Sequence, residues 1–167
     1  MIALLVASFL AMQTGELPPF NESVLVLFFV RTDCPVSNRY APEIQRIAQR
    51  FHKQGVTFEL VYPEAGVTEE SIERHRREYG YTITGVADPK HLYVARARVH
   101  VTPEAALFLR GRLVYRGRID NQYVSVAQVR STPSVHDLED ALAAVLAGHD
   151  PRARRIEAVG CAIEPLR

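Results

Sequence analysis

Cysteine is scarce in this chain: among 167 residues there are two, Cys34 and Cys161, far apart and with no local partner. A zinc ribbon or finger needs closely spaced Cys or His pairs, and a disulfide-dense secreted scaffold needs several cysteines, so both are excluded. Lysine is limited to Lys53 and Lys90, and the arginines that supply the rest of the 20 basic residues are scattered among 19 acidic ones. A formal net charge of +1 creates no broad field, so neither nucleic acid nor an anionic membrane is an expected partner. Long apolar runs are also missing. Ile2–Met12, interrupted only by Ser8, falls well short of the roughly 20 residues that cross a bilayer, and no stable membrane span is expected.

What is present begins with that same segment. Its length fits the hydrophobic region of a secretory signal, with the more polar Gln13, Thr14, Gly15 and Glu16 after it. No Lys or Arg precedes Arg31, and no clean small-x-small cleavage site falls near Ala11. Two expectations follow for residues 1–14: a signal peptide, with a periplasmic or extracellular protein, or a buried first strand or helix, with a cytoplasmic one.

The length suits one packed domain, which the pattern places over residues 15–148, with residues 149–167 as a C-terminal tail carrying Cys161. Val24–Val30 is an unbroken apolar run, the signature of a strand buried on both faces. From Pro42 on, Ile44, Ile47, Ala48 and Phe51 recur at helical spacing, predicting an amphipathic helix that stops near Gly55. Val56–Tyr62 reads as a second strand, Glu69–Tyr79 as a charged helix, Ile83–Val86 as a short strand and His91–Ala97 as a short helix. Ala105–Leu109 and Leu113–Ile119, separated by Arg110, Gly111 and Arg112, predict a hairpin. The closing helix is expected over Val135–Ala147, with Ser134 as N-cap, Leu138, Ala141, Leu142 and Val145 as its buried stripe and Gly148 as its stop. The order is that of an α/β fold, a mixed central sheet with helices on both faces.

Chemistry concentrates at Cys34, just past the first strand and at the start of the following helix, where open α/β sheets place their sites. Unpaired N–H groups and the helix dipole favour a thiolate there, and Pro35 suits a first helical turn. Asp33 opposes a second negative charge, while Arg31 or Arg39 offsets it.

Cys34-Pro35-Val36-Ser37, followed by Pro42 and by Ile44, Ile47 and Ala48, resembles the active-site helix of the thioredoxin superfamily. Val101-Thr102-Pro103-Glu104-Ala105 resembles that family's cis-proline loop, so the resemblance implies a thioredoxin-like fold with a cis Thr102–Pro103 bond packed against the cysteine. Glu16-Leu17-Pro18-Pro19-Phe20 and the long segment before Pro103 are similar to the redoxin branch, the TlpA-like thiol-disulfide proteins and the AhpC/TSA peroxiredoxins. Three positions depart from those patterns. Ser37 stands where a dithiol enzyme has its second cysteine, Arg31 where a peroxiredoxin has threonine, and Asn38 where a Sco-type copper protein has cysteine.

The resemblance implies a thiol-disulfide oxidoreductase or isomerase with Cys34 as nucleophile. Thr102 and Pro103 would hold substrate backbone, Ser37 would hydrogen-bond the sulfur, and Pro35 would support the helix start. The stretch from Gly148 to Cys161 can reach about 43 Å when extended, enough to return across a domain about 30 Å wide. Cys161 is therefore expected to resolve Cys34, the alternatives being a free cysteine in a surface tail or a small buried apolar residue. The implied partners are protein thiols or disulfides and a thioredoxin-like reductant, with no cofactor or metal. A peroxiredoxin-like peroxidase is the second reading, and a non-catalytic redoxin-fold module that docks a partner or copper the third. His52, His75, His91, His100, His136 and His149 lack metal-ligand spacing and read as solvated or capping residues, with His100 the one near Pro103. Glu73–Glu78 reads as a solvated helix face, Arg118 as a surface ion pair or thiolate support, and Glu64 as a group that could face the site.

Overall fold

The computed structural model describes residue 20 and residues 22–166. Both readings of segment 1–14 lie outside the described residues. β1 (Val24–Phe29) is the run expected to be buried on both faces, and all six residues are buried. Because side chains alternate along a strand, Val24, Val26 and Phe28 join one core cluster and Leu25, Leu27 and Phe29 the other. Then follow α1 (Pro35–His52), β2 (Thr57–Tyr62), α2 (Glu69–Glu78), β3 (Thr84–Ala87) and α3 (Leu92–Ala97). β4 (Val101–Thr102) leads through Pro103 into the hairpin β5 (Glu104–Leu109) and β6 (Arg112–Gly117). A small hairpin, β7 (Tyr123–Ser125) and β8 (Gln128–Val129), precedes α4 (Asp137–Leu146), and β9 (Arg155–Ile156) and β10 (Cys161–Ala162) follow it.

Six strands form the central sheet in the order β3-β2-β1-β5-β6-β9. β1, β2 and β3 pair in parallel, while β5 runs antiparallel to both β1 and β6. One face carries Tyr40, Ile44, Ile47 and Phe51 of α1, Ile72 of α2, and Leu138 and Leu142 of α4. The other carries Ala97 of α3 and Val99, with Tyr93, Val94 and Phe20 packed against them. Ile44 and Ile47 are almost wholly buried, and each such side chain contributes about 2 kcal/mol. This is the expected mixed α/β, thioredoxin-like architecture. Among the described residues no helix is long and apolar enough to cross a membrane.

Two local expectations are corrected. Ser134 does not cap α4: its hydroxyl accepts from Asn121 Nδ2 at 2.9 Å and its amide donates to Asn121 Oδ1 at 2.9 Å. That clasp holds residues 134 and 135 out of the helix, which starts at Asp137 with no side-chain cap on its N-terminal turn. The segment after Gly148 is also more than a tail. β9 adds a parallel strand beside β6, with Gly117 opposite Ile156, and β10 pairs antiparallel with β4. These pairings join strands distant in sequence, so no local propensity announces them.

The parallel order brings the C-terminal ends of β1 and β2 to one edge of the sheet. Antiparallel β5 begins at that edge, so the Cys34 turn, Glu64 and Pro103 converge there.

Candidate active site

Cys34 is the N-cap residue of α1, with Pro35 in the first turn, and is 1% exposed. The first amides of a helix lack partners within it, and one of them, Ser37 N–H, donates to Cys34 Sγ at 3.5 Å. The expected hydrogen bond from Ser37 to the sulfur is thus made by its backbone amide, and Ser37 Oγ is buried with no hydrogen-bond partner among the described residues.

Cys34 is disulfide-bonded to Cys161, with Cα atoms 6.1 Å apart, within the span such a bond requires. The Thr102 carbonyl oxygen lies 3.2 Å from Cys34 Sγ, and the Thr102–Pro103 peptide is cis. Cys161 sits directly opposite Thr102 in the β4–β10 ladder. Cys34, Pro35, Ser37, Thr102, Pro103 and Cys161 therefore meet at one place.

Three polar groups shape the loop that presents Cys34. Glu64 Oε1 accepts from the Thr32 amide at 2.9 Å and from the Thr32 hydroxyl at 2.6 Å. Arg31 makes a two-pronged pair with Asp33, 3.0 Å at each contact, and donates from Nη1 to the Ala162 carbonyl at 3.3 Å. Arg31, not the exposed Arg39, is thus the charge that offsets Asp33. Asn38 Nδ2 donates to the Thr32 carbonyl at 3.2 Å while its Oδ1 lies 2.9 Å from His75 Nε2.

His75 corrects the reading of α2 as a solvated face. It is 4% exposed, and Asn38 Oδ1 can only accept, so Nε2 carries the proton and Nδ1 accepts from the Tyr62 hydroxyl at 2.9 Å. Burial pulls the imidazole below its ordinary pKa, which favours this neutral tautomer. The sequence held a signal for it, since Ile72, His75 and Tyr79 share a helical stripe.

The loop before Pro103 is tied by Glu104, whose Oε2 accepts from the amides of His100 at 2.9 Å and Val101 at 3.4 Å. Glu104 Oε1 lies 3.9 Å from Arg116 Nη1, and both residues are buried. The His100 side chain is exposed; what the residue contributes is backbone, its carbonyl accepting from Ile163 N–H. Arg118 Nε pairs with Asp137 at 2.6 Å, and His91 Nε2 contacts the Pro63 carbonyl at 2.9 Å. Sequence reasoning missed Glu104, His75 and the positioning part of Asn38, because buried polar groups are defined by partners distant in the chain.

Metal-ligating atoms of Glu43, Asp120 and His136 lie within 4.8 Å of one another. Asp120 Oδ1 is engaged by the Tyr40 hydroxyl at 2.6 Å and the Gln122 amide at 2.8 Å, which accounts for this buried carboxylate without an ion. Burial and the Asp120 hydrogen bond push the Tyr40 phenol up.

The AhpC/TSA family model matches residues 9–119. An uncharacterized conserved protein from Geobacillus kaustophilus is similar at 22% identity, over 87% of this chain and 78% of that one, with a TM-score of 0.75. A hypothetical protein from Sinorhizobium meliloti is 24% identical over 86% of this chain and 80% of that one, with a TM-score of 0.72. A Chlorobium tepidum protein assigned as a thiol:disulfide interchange protein, DsbE, is 18% identical over 57% of this chain and 67% of that one, with a TM-score of 0.50. A search of curated proteins finds no match.

Proposed function

Because the chain belongs to the AhpC/TSA family, we propose that it is a thiol-disulfide oxidoreductase in which Cys34 attacks and Cys161 resolves. The observation that carries this reading is the bond between Cys34, at the N-terminus of α1, and Cys161, on the strand beside Thr102. The interchange assignment of the Chlorobium tepidum neighbour agrees with it. In the dithiol form, the Ser37 amide and the helix dipole favour an anionic Cys34 sulfur. That thiolate attacks a partner disulfide, and one partner sulfur leaves as thiolate. Cys161 thiolate then attacks Cys34 Sγ, the second partner sulfur leaves, and two electrons have passed to the partner. Pro103 and the Thr102 backbone hold the partner chain beside Cys34. The protein acts outside the cytoplasm, where disulfides persist, and residues 1–14 serve as its signal. An intact Met1 in the protein isolated from its native host would refute that placement.

The family also contains peroxidases, and a peroxidase cycle would take Cys34 through sulfenic acid before condensation with Cys161. Against it, Arg31 stands where a peroxiredoxin has threonine, and the hydroxyl of Thr32, one place later, is committed to Glu64. Insulin reduction and hydrogen-peroxide consumption, each measured for the wild type, Cys34→Ser and Cys161→Ser, separate the two. Disulfide turnover lost in Cys34→Ser, with a trapped mixed disulfide in Cys161→Ser, is the expected result. Turnover indifferent to Cys34→Ser would defeat both enzymatic readings.

A further inference from the structure

Beyond Ile156 the chain leaves the central sheet and lays an extended strand across the site. Cys161 pairs with Thr102 and Ala162 with Val101 in a ladder separate from the main sheet. Ile163 N–H donates to the His100 carbonyl at 2.9 Å, and Thr102 Oγ1 donates to the Cys161 carbonyl at 3.5 Å. Arg31 adds the bond to Ala162. So short a two-stranded ladder is marginal alone, which leaves the bond to Cys34 as its principal fastening. The chain has made with its own C-terminal segment the arrangement of a peptide docked on a strand edge and disulfide-bonded to Cys34.

Gly160 fixes what that edge accepts. A Cβ on Gly160 would overlap the Thr102 carbonyl oxygen, lie 2.6 Å from its carbon and 3.1 Å from Pro103 N. These are backbone atoms of a loop whose preceding residues, His100 and Val101, are tied by their amides to Glu104, and they cannot swing aside as a flexible side chain would. The residue before the docked cysteine must therefore be glycine for the strand to lie this close.

We propose that Val101–Thr102 is a strand-docking edge that the segment after Ile156 covers while the Cys34–Cys161 bond is intact and uncovers when it is reduced. The occupant the edge then takes is an extended partner segment bearing a disulfide-bonded cysteine preceded by glycine. This rests on the redox reading above and names its partner class. A dithiol reductant first converts Cys34–Cys161 to two thiols and is itself oxidised to a disulfide. Cys34 thiolate attacks the partner's Gly–Cys sulfur, and the sulfur bonded to it leaves as thiolate. The returning Cys161 thiolate attacks Cys34 Sγ, re-forms the internal bond and expels the partner thiolate, so reclosure and product release are one event.

The test uses full-length Cys161→Ser with the peptides Val-Gly-Cys-Ala-Ile and Val-Ala-Cys-Ala-Ile, each as its mixed disulfide with thionitrobenzoate, and with the N-acetylcysteine derivative for comparison. The glycine peptide is expected to react with Cys34 at least about fivefold faster than the alanine peptide, the low end of what overlap with fixed atoms imposes. In Gly160→Ala/Cys161→Ser, whose own strand no longer competes, its rate should rise further. Equal rates for the two peptides overturn the inference while leaving Cys34 chemistry intact; failure of all three disulfides to react overturns the redox reading as well. In the wild type, hydrogen exchange at Ile163 N–H should quicken on reduction, and unchanged protection would show that the strand does not lift.

Discussion

At the scale of single residues, burial decides which polar groups matter, and it makes opposite predictions for two of them. His75 is held neutral between Tyr62 and Asn38, and burial lowers its pKa. The unfolded chain therefore binds the extra proton first. This contribution to stability is complete above the ordinary imidazole value of about 6.5 and is lost as pH falls below it. Denaturant unfolding from pH 7.5 to 5 should show a smaller loss of stability in His75→Gln than in the wild type; parallel curves would contradict this account. Glu59 shows the reverse sign. Burial, with Glu22 nearby, pushes its carboxyl up to about 7, so its stabilising contribution is present below the ordinary carboxylate range and is lost as pH rises through 7. Glu59→Gln should thus stabilise the protein more at pH 8 than at pH 5, by the same unfolding measurement. The two differ in legibility: α2 reads as charged all round until Ile72, His75 and Tyr79 are aligned, whereas nothing near Glu59 in sequence shows that it is partly buried.

Elements were legible to the extent that their cause was local. β1 and α1 follow from a continuous apolar run and a helical stripe, and both appear where expected. The start of α4 was misplaced because Asn121, distant in sequence, captures Ser134. β9 was invisible because two residues of strand carry no period. Its docking depends on Gly117, whose φ of 147° favours glycine and whose Cβ would overlap the Ile156 carbonyl oxygen and lie 2.9 Å from its carbon. Gly117→Ala should cost about 1–3 kcal/mol by chemical denaturation. It should also slow closure of the Cys34–Cys161 bond, followed by thiol trapping, because β9 anchors the strand that carries Cys161. Closure at the wild-type rate would mean that β9 plays no part in guiding that strand.

Across the whole molecule, the Cys34–Cys161 bond spans 127 residues of sequence and closes nearly the entire described chain into a loop. In the chain-entropy account, a loop on the order of 100 residues restricts the unfolded state by up to about 5 kcal/mol. Calorimetry with and without a reductant should show a large fall in melting temperature, absent in Cys161→Ser. A fall of the same size in that variant would assign the effect to something other than this bond.

By itself the sequence determined a mixed α/β core, a cysteine at a strand-to-helix junction, and a C-terminal segment long enough to return to it. These follow from apolar period and chain length, which are local or additive properties. Only the tertiary structure decided that Cys161 lies opposite Thr102, that Gly160 alone permits that approach, and that His75 and Glu104 brace the two loops around the sulfur. Those outcomes depend on which backbone edges remain free after the core has packed, and no segment of the chain carries that information on its own.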